Sequence, residues 1–93
     1  MDLLTGTRII ASPEQVSCDM GGEAAILNLK SGTYYGLDPV GARIWNLLQQ
    51  PRTVGELRDI LITEYDVDAA RLESDIRALL GRLADNQLVE ISG

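Results

Sequence analysis

The sequence predicts an α+β domain: a three-stranded antiparallel sheet followed by three helices, winged helix-turn-helix-like in outline. Three observations carry this expectation. Before Asp38, short runs of strand-forming residues are separated by two turn signals, Gly21-Gly22 and Ser31-Gly32. After Asp38, apolar residues recur at helical spacing in three blocks. Each block opens on a residue suited to cap a helix N-terminus, namely Asp38, Thr53 and Asp68. With 93 residues, the chain suffices for one domain with one modest core, taken as residues 1–93.

The elements follow in order. Residues 8–11 and 16–20 are short extended candidates, with Pro13 between them. Residues 23–29 form the next strand, with Ala25, Leu27 and Leu29 on one face and Ala24, Ile26 and Asn28 on the other. Residues 33–37 return as a strand, placing Thr33, Tyr35 and Leu37 on one face. Two tight turns in succession make a meander, whose last strand is an edge. Asp38-Pro39 then switches the chain to helix, because Asp accepts backbone N–H bonds at the cap and Pro costs nothing at the first helical position. The first helix runs to about Gln50 with a stripe of Ile44, Leu47 and Leu48, and Trp45 beside it as a core residue; Pro51 stops it. Thr53-Val54-Gly55-Glu56 is a capping box opening the second helix, whose stripe is Val54, Leu57, Ile60 and Leu61, extending to Tyr65. Asp66-Val67-Asp68 breaks it. The third helix carries Leu72, Ile76, Leu79, Leu80 and Leu83. Gly81 inside it costs roughly 1 kcal/mol relative to Ala, for which close packing against a neighbour is the simple reason. Asn86 is suited to end the helix in a left-handed turn, and residues 87–91 form a short extended tail.

Composition excludes several function classes. Apolar residues make up 45% and charged residues 24%, a globular mix. No histidine is present, so the commonest general base and metal ligand is missing. The single cysteine, Cys18, cannot form an internal disulfide and has no imidazole to activate it; it reads as a small strand residue. No cofactor, metal or catalytic residue is expected. The formal net charge is −6, with one lysine and seven arginines spread along the chain, which opposes binding to nucleic acid or to an anionic membrane. No apolar run approaches the roughly 18 residues a membrane span needs. Residues 1–7 lack a basic start followed by an apolar block, so no secretory signal is expected and the cytoplasm is the expected location.

One stretch stands out. Between Gly32 and Asp38 there is neither charge nor proline, although edge strands are usually blunted by one of these. Either the chain's own tail or a second copy covers this edge, or an extended peptide adds to it as a further strand. The third helix offers two neighbouring stripes. Ile76, Leu80 and Leu83 belong to the core. Leu72, Asp75, Leu79 and Arg82 form an apolar strip flanked by charge, which suits the wall of a groove; the competing reading makes Leu72 and Leu79 core, with Asp75 and Arg82 solvated. Tyr34 and Tyr35 likewise read either as ordinary strand formers or as part of a binding edge.

The ordered set of residues has a likeness. Tyr35-x-Leu37-Asp38 leads into Gly41-x-x-Ile44-Trp45-x-Leu47-Leu48, followed by Thr53, Leu57, Tyr65-x-Val67, Asp75-Ile76, Leu80, Leu83 and Leu88. This pattern resembles the PqqD-like family, the precursor-peptide recognition elements of ribosomal peptide natural-product pathways, over about residues 8–91. The fuller run "YYGLDPVGARIW" is most similar to stand-alone members from lasso-peptide pathways. Asp38-Pro39 departs from the Asn-containing turn of many relatives, which leaves the cap intact.

The resemblance implies a non-catalytic adaptor that binds the leader segment of a precursor peptide by strand addition. The partners it implies are a cysteine-protease-like leader peptidase and an ATP-dependent macrocyclase. A Tyr-x-x-Pro element in the leader is a common signal in such systems. The implied peptide-binding residues are Thr33, Tyr34, Tyr35, Gly36, Leu37, Leu72, Asp75, Ile76, Leu79 and Arg82. Within the family, the rival is a chaperone for the pyrroloquinoline quinone precursor serving a radical enzyme. From another class, a winged-helix transcription regulator shares the fold outline. However, Asp66, Asp68, Glu73 and Asp75 against one Arg71 would repel phosphates at the start of a recognition helix.

Overall fold

The computed structural model describes residues 6–19 and 21–92; Met20 of the expected second strand and residues 1–5 lie outside them. The elements are β1 (Arg8–Ala11), β2 (Gln15–Asp19), β3 (Ala24–Asn28), β4 (Tyr34–Leu37), α1 (Pro39–Leu47), β5 (Arg52–Thr53), α2 (Val54–Leu61), α3 (Ala69–Asp85) and β6 (Val89–Ser92). They form two three-stranded antiparallel sheets and three helices, an α+β architecture.

The expected meander is one of the sheets, in the order β2-β3-β4. Gly21 and Gly22 both adopt positive φ, which lets the β2–β3 connection turn within a few residues. The β3–β4 turn is organised by Asn28, 2% exposed, whose Oδ1 accepts from the backbone N–H of Lys30 (2.8 Å) and Ser31 (3.1 Å). Its Nδ2 donates to the carbonyl of Asn86 at 2.9 Å, tying this turn to the end of α3.

The second sheet is a departure from the single sheet expected. Its order is β5-β1-β6, so β1 lies between the two-residue strand before α2 and the C-terminal tail. Arg8 pairs with Ser92 and Ala11 with Val89. The tail therefore pairs with β1, not with the edge of β4.

All three caps form. Asp38 accepts from Gly41 N–H at 2.8 Å, Thr53 and Glu56 make both bonds of the capping box, and Asp68 accepts from Arg71 N–H at 3.2 Å. α1 ends at Leu47, capped by Leu48, a little before Gln50. α2 ends at Leu61, short of Tyr65; the β-branched Ile62 and Thr63 follow, and Thr63 Oγ1 donates back to the Ile60 carbonyl at 2.7 Å. At the end of α3, Asn86 keeps φ −94°, and the left-handed residue is Gln87 at φ 57°. A Cβ at Gly81 would meet nothing within 4 Å, so close packing does not explain this glycine.

The inner face of the meander, through Ala24, Ile26 and Leu37, packs on the apolar stripes of the helices. Trp45, 2% exposed, joins Leu48, Leu57, Leu61, Ile76, Leu80 and Leu83 in this core, as the helical spacing predicts. The outer face carries a register row of Val16, Leu27 and Tyr34 that stays exposed.

Candidate functional site

A groove of about 420 Å3 runs between β4 and α3. Its strand side is Tyr35, Gly36 and Leu37, continued by Asp38, Val40, Gly41 and Ile44 at the start of α1. Its helix side is Arg71, Leu72, Asp75, Ile76, Ala78, Leu79 and Arg82, and Tyr65 and Val67 close one end.

The apolar pattern of α3 generates this wall. Leu72, Ile76 and Leu79 follow at spacings of four and three, so they share a face. Leu72 and Leu79 are buried, at 5% and 7% exposure, yet their edges line the groove. Leu72 and Leu79 are thus core residues whose edges also form part of the groove lining. Asp75, Ala78 and Arg82 are exposed and stand at the rim. Gly41 is needed where the floor meets α1. A Cβ there would lie 3.1 Å from Asp38 Oδ1 and 3.2 Å from Leu37 Cδ2, disturbing the cap.

The strand side is set by the ladder. The Asn28 N–H donates to the Thr33 carbonyl at 2.9 Å, and β4 continues in register with Tyr35 opposite Ile26 and Leu37 opposite Ala24. In an antiparallel ladder a residue's N–H and C=O point the same way, and successive residues alternate. Tyr35 and Leu37 therefore turn their backbone groups to β3, whereas Tyr34 and Gly36 turn theirs outward. β4 is the end strand of its sheet, so this outward row lies along an open edge. Side chains alternate with the same period, to the two faces of the sheet: Leu37 is buried and Tyr35 half-buried on the groove side, and Tyr34 is exposed on the outer face. Tyr35 also crosses the groove, its hydroxyl accepting from Arg82 Nε at 2.9 Å.

The ten residues singled out in the sequence divide accordingly. Tyr35, Gly36, Leu37, Leu72, Asp75, Ile76, Leu79 and Arg82 line the groove together. The side chains of Thr33 and Tyr34 do not. Thr33 precedes β4, and its hydroxyl accepts from Ser31 Oγ at 2.9 Å within the turn. Sequence reasoning missed the contributions of Asp38, Val40, Gly41, Ile44, Tyr65, Val67, Arg71 and Ala78. Gly41 and the Tyr65-x-Val67 pair stood in the pattern above, but only the fold brings them to the groove.

The shifted carboxyls lie at other places: Glu64 is held below its ordinary value by hydrogen bonds from Arg43, and Glu73 by hydrogen bonds from Arg77 and Arg58. Among the described residues, no group of three or more His, Cys, Asp or Glu is placed to hold a metal ion, and no helix is long and apolar enough to cross a membrane.

Two solved structures share this fold. One, "TbiB1 in Complex with the TbiA(beta) Leader Peptide", superposes with a TM-score of 0.82 at 41% identity, over 87% of this chain and 94% of that one. Another, "Lasso peptide synthetase B1 complexed with the leader peptide", gives 0.77 at 26% identity, over 88% and 96%. No curated protein matches the chain. The family described as "Coenzyme PQQ synthesis protein D (PqqD)" matches residues 23–89, from just before β3 to the first residue of β6. With well over half of the chain matched, and the same fold in a 41% identical structure, the chain belongs to the PqqD family.

Proposed function

We propose that the chain is a non-catalytic adaptor, one peptide-recognition domain over residues 1–93, that binds the leader segment of a ribosomally made precursor peptide by strand addition and presents it to a lasso-peptide leader peptidase and macrocyclase. The observation that carries this reading is the outward row of backbone groups at Tyr34 and Gly36 beside an apolar groove. Such an edge gives a guest strand its hydrogen bonds, and the groove takes its alternate side chains. Both structural relatives are complexes with leader peptides, which supports the same ligand class here. Packing of α2 on α3 supports the winged helix-turn-helix-like outline. The lack of histidine supports a role without chemistry of its own, and the absence of a disulfide partner for Cys18 fits the cytoplasm. The pyrroloquinoline quinone precursor is the second candidate ligand, favoured by the family description alone.

The test uses two prolines. Gly36→Pro removes an outward N–H, and a Cβ at this position meets only Tyr34 Cε1, at 4.0 Å. The fold should survive by circular dichroism, and affinity for a synthetic lasso-type leader peptide carrying a Tyr-x-x-Pro element should fall at least tenfold, about 1.4 kcal/mol. Tyr35→Pro removes a bond to β3 and should damage the meander itself. A Gly36→Pro protein that binds the leader as wild type does would overturn strand addition at this edge.

A further inference from the structure

Half of the positive charge of this acidic protein that lacks a carboxylate partner stands at the groove. Of its eight basic side chains, Lys30, Arg43, Arg58 and Arg77 each pair with a carboxylate. Among the described residues, Arg8, Arg52, Arg71 and Arg82 pair with none; Arg52 donates to the Leu47 carbonyl away from the groove, whereas Arg71 and Arg82 stand on the groove rim. Arg82 is the more constrained of the two. Its Nε donates to the Tyr35 hydroxyl at 2.9 Å, so the guanidinium is fixed across the groove. Asp85, three residues on, makes no ion pair with it. The remaining Nη1–Nη2 edge makes no hydrogen bond to the described residues.

That arrangement suits a carboxylate. A guanidinium presents its N–H groups in a fixed planar fork, and an oxygen pair meets two of them at once. Fixing the fork beforehand removes the entropy that a free arginine would lose on binding. Asp75, the acidic residue on the same rim, is seven positions earlier on α3, about 10 Å along the axis, beyond the roughly 8 Å screening length at physiological salt. It therefore does little to neutralise Arg82. We propose that Arg82, oriented by Tyr35, is a specificity-determining residue that selects leader strands carrying an Asp or Glu opposite the C-terminal half of α3. This rests on the leader-binding reading above and adds to it the chemical class of one recognised side chain.

The test is a phage-displayed library of randomised fourteen-residue peptides, panned on the full chain and on Arg82→Glu, both checked for fold by circular dichroism. Wild type should enrich strand-forming peptides with Asp or Glu at one fixed position, and Arg82→Glu should enrich Lys or Arg there, with the apolar positions unchanged. A synthetic peptide from the wild-type pool should lose about tenfold in affinity when its acid is made the amide, the lower end for a charge-assisted hydrogen bond. The same change should matter less than about twofold to Arg82→Gln, as coupled partners require. Tyr35→Phe should weaken the acidic preference and leave the apolar positions as they were. Enrichment without an acidic position, with an aromatic one over Arg82, or with an acidic one that Arg82→Glu leaves unchanged, overturns the proposal and spares leader binding. Recovery of no peptide by wild type overturns both.

Discussion

At the scale of single residues, the groove floor and the core are the same side chains. Leu79 is 7% exposed and touches both. Leu79→Asp would bury an unpaired carboxylate, which costs several kcal/mol or forces protonation. The domain should unfold, seen as loss of its cooperative thermal transition, and the variant therefore says little about binding. Ala78 is the informative position, because it is exposed on the same wall. Ala78→Trp should keep the melting transition while filling the groove, lowering leader affinity at least tenfold, about 1.4 kcal/mol, by calorimetry. Much of this floor was legible from spacing, since Leu72 and Leu79 repeat at helical intervals beside Asp75 and Arg82. What spacing cannot give is depth: whether a residue at a stripe's margin faces solvent depends on how closely β4 approaches α3. The direction of the Gly36 amide was equally out of reach, because alternation fixes a pattern but not its phase until one hydrogen bond, from Asn28 to Thr33, is known.

At the scale of elements, α3 carries a correctable weakness and a charged clamp. Gly81 has open space where its Cβ would be, and the helix there is regular. Gly81→Ala should stabilise by up to about 1 kcal/mol, raising the thermal midpoint by about 4–8 °C for a domain of this size. The clamp is Glu73, which accepts from Arg77 on its own helix at 2.8 Å and from Arg58 of α2 at 3.3 Å. These bonds hold the Glu73 carboxyl below its ordinary 4.5, so its contribution to stability is present above that value and is lost as the pH falls through the lowered folded value. Acid melting curves should fall in that window, and Glu73→Gln should flatten this part of the curve. The caps were readable in sequence because Asp38, Thr53 and Asp68 act within three residues of themselves. The helix lengths were less so: apolar periodicity runs on through Tyr65, yet α2 stops at Leu61, where β-branched residues and a hydroxyl back-bond compete with the helix.

At the scale of the whole molecule, β1 determines closure. It holds β5 on one side and β6 on the other, pairing Ile9 with Arg52 and with Ile91. No local signal announces such pairs, since each strand is short and its partner lies far along the chain; the tail read only as extended. A chain truncated after Leu88 loses β6 and the buried Val89, leaving β1 with two paired residues of β5. It should show no sharp urea transition, whereas the full chain should show one. The same closure has a meaning for synthesis on the ribosome. The β2–β3–β4 meander emerges before the helices and can pair locally, so its open edge is built before α3 exists to wall it. Until α3 arrives, the nascent chain presents a bare strand edge without a groove, and until Val89 and its neighbours follow, β1 lacks its β6 partner. Ribosomes stalled before α3 should therefore carry chains that chaperones hold and that aggregate on release, and those stalled after the tail has cleared the exit tunnel should not.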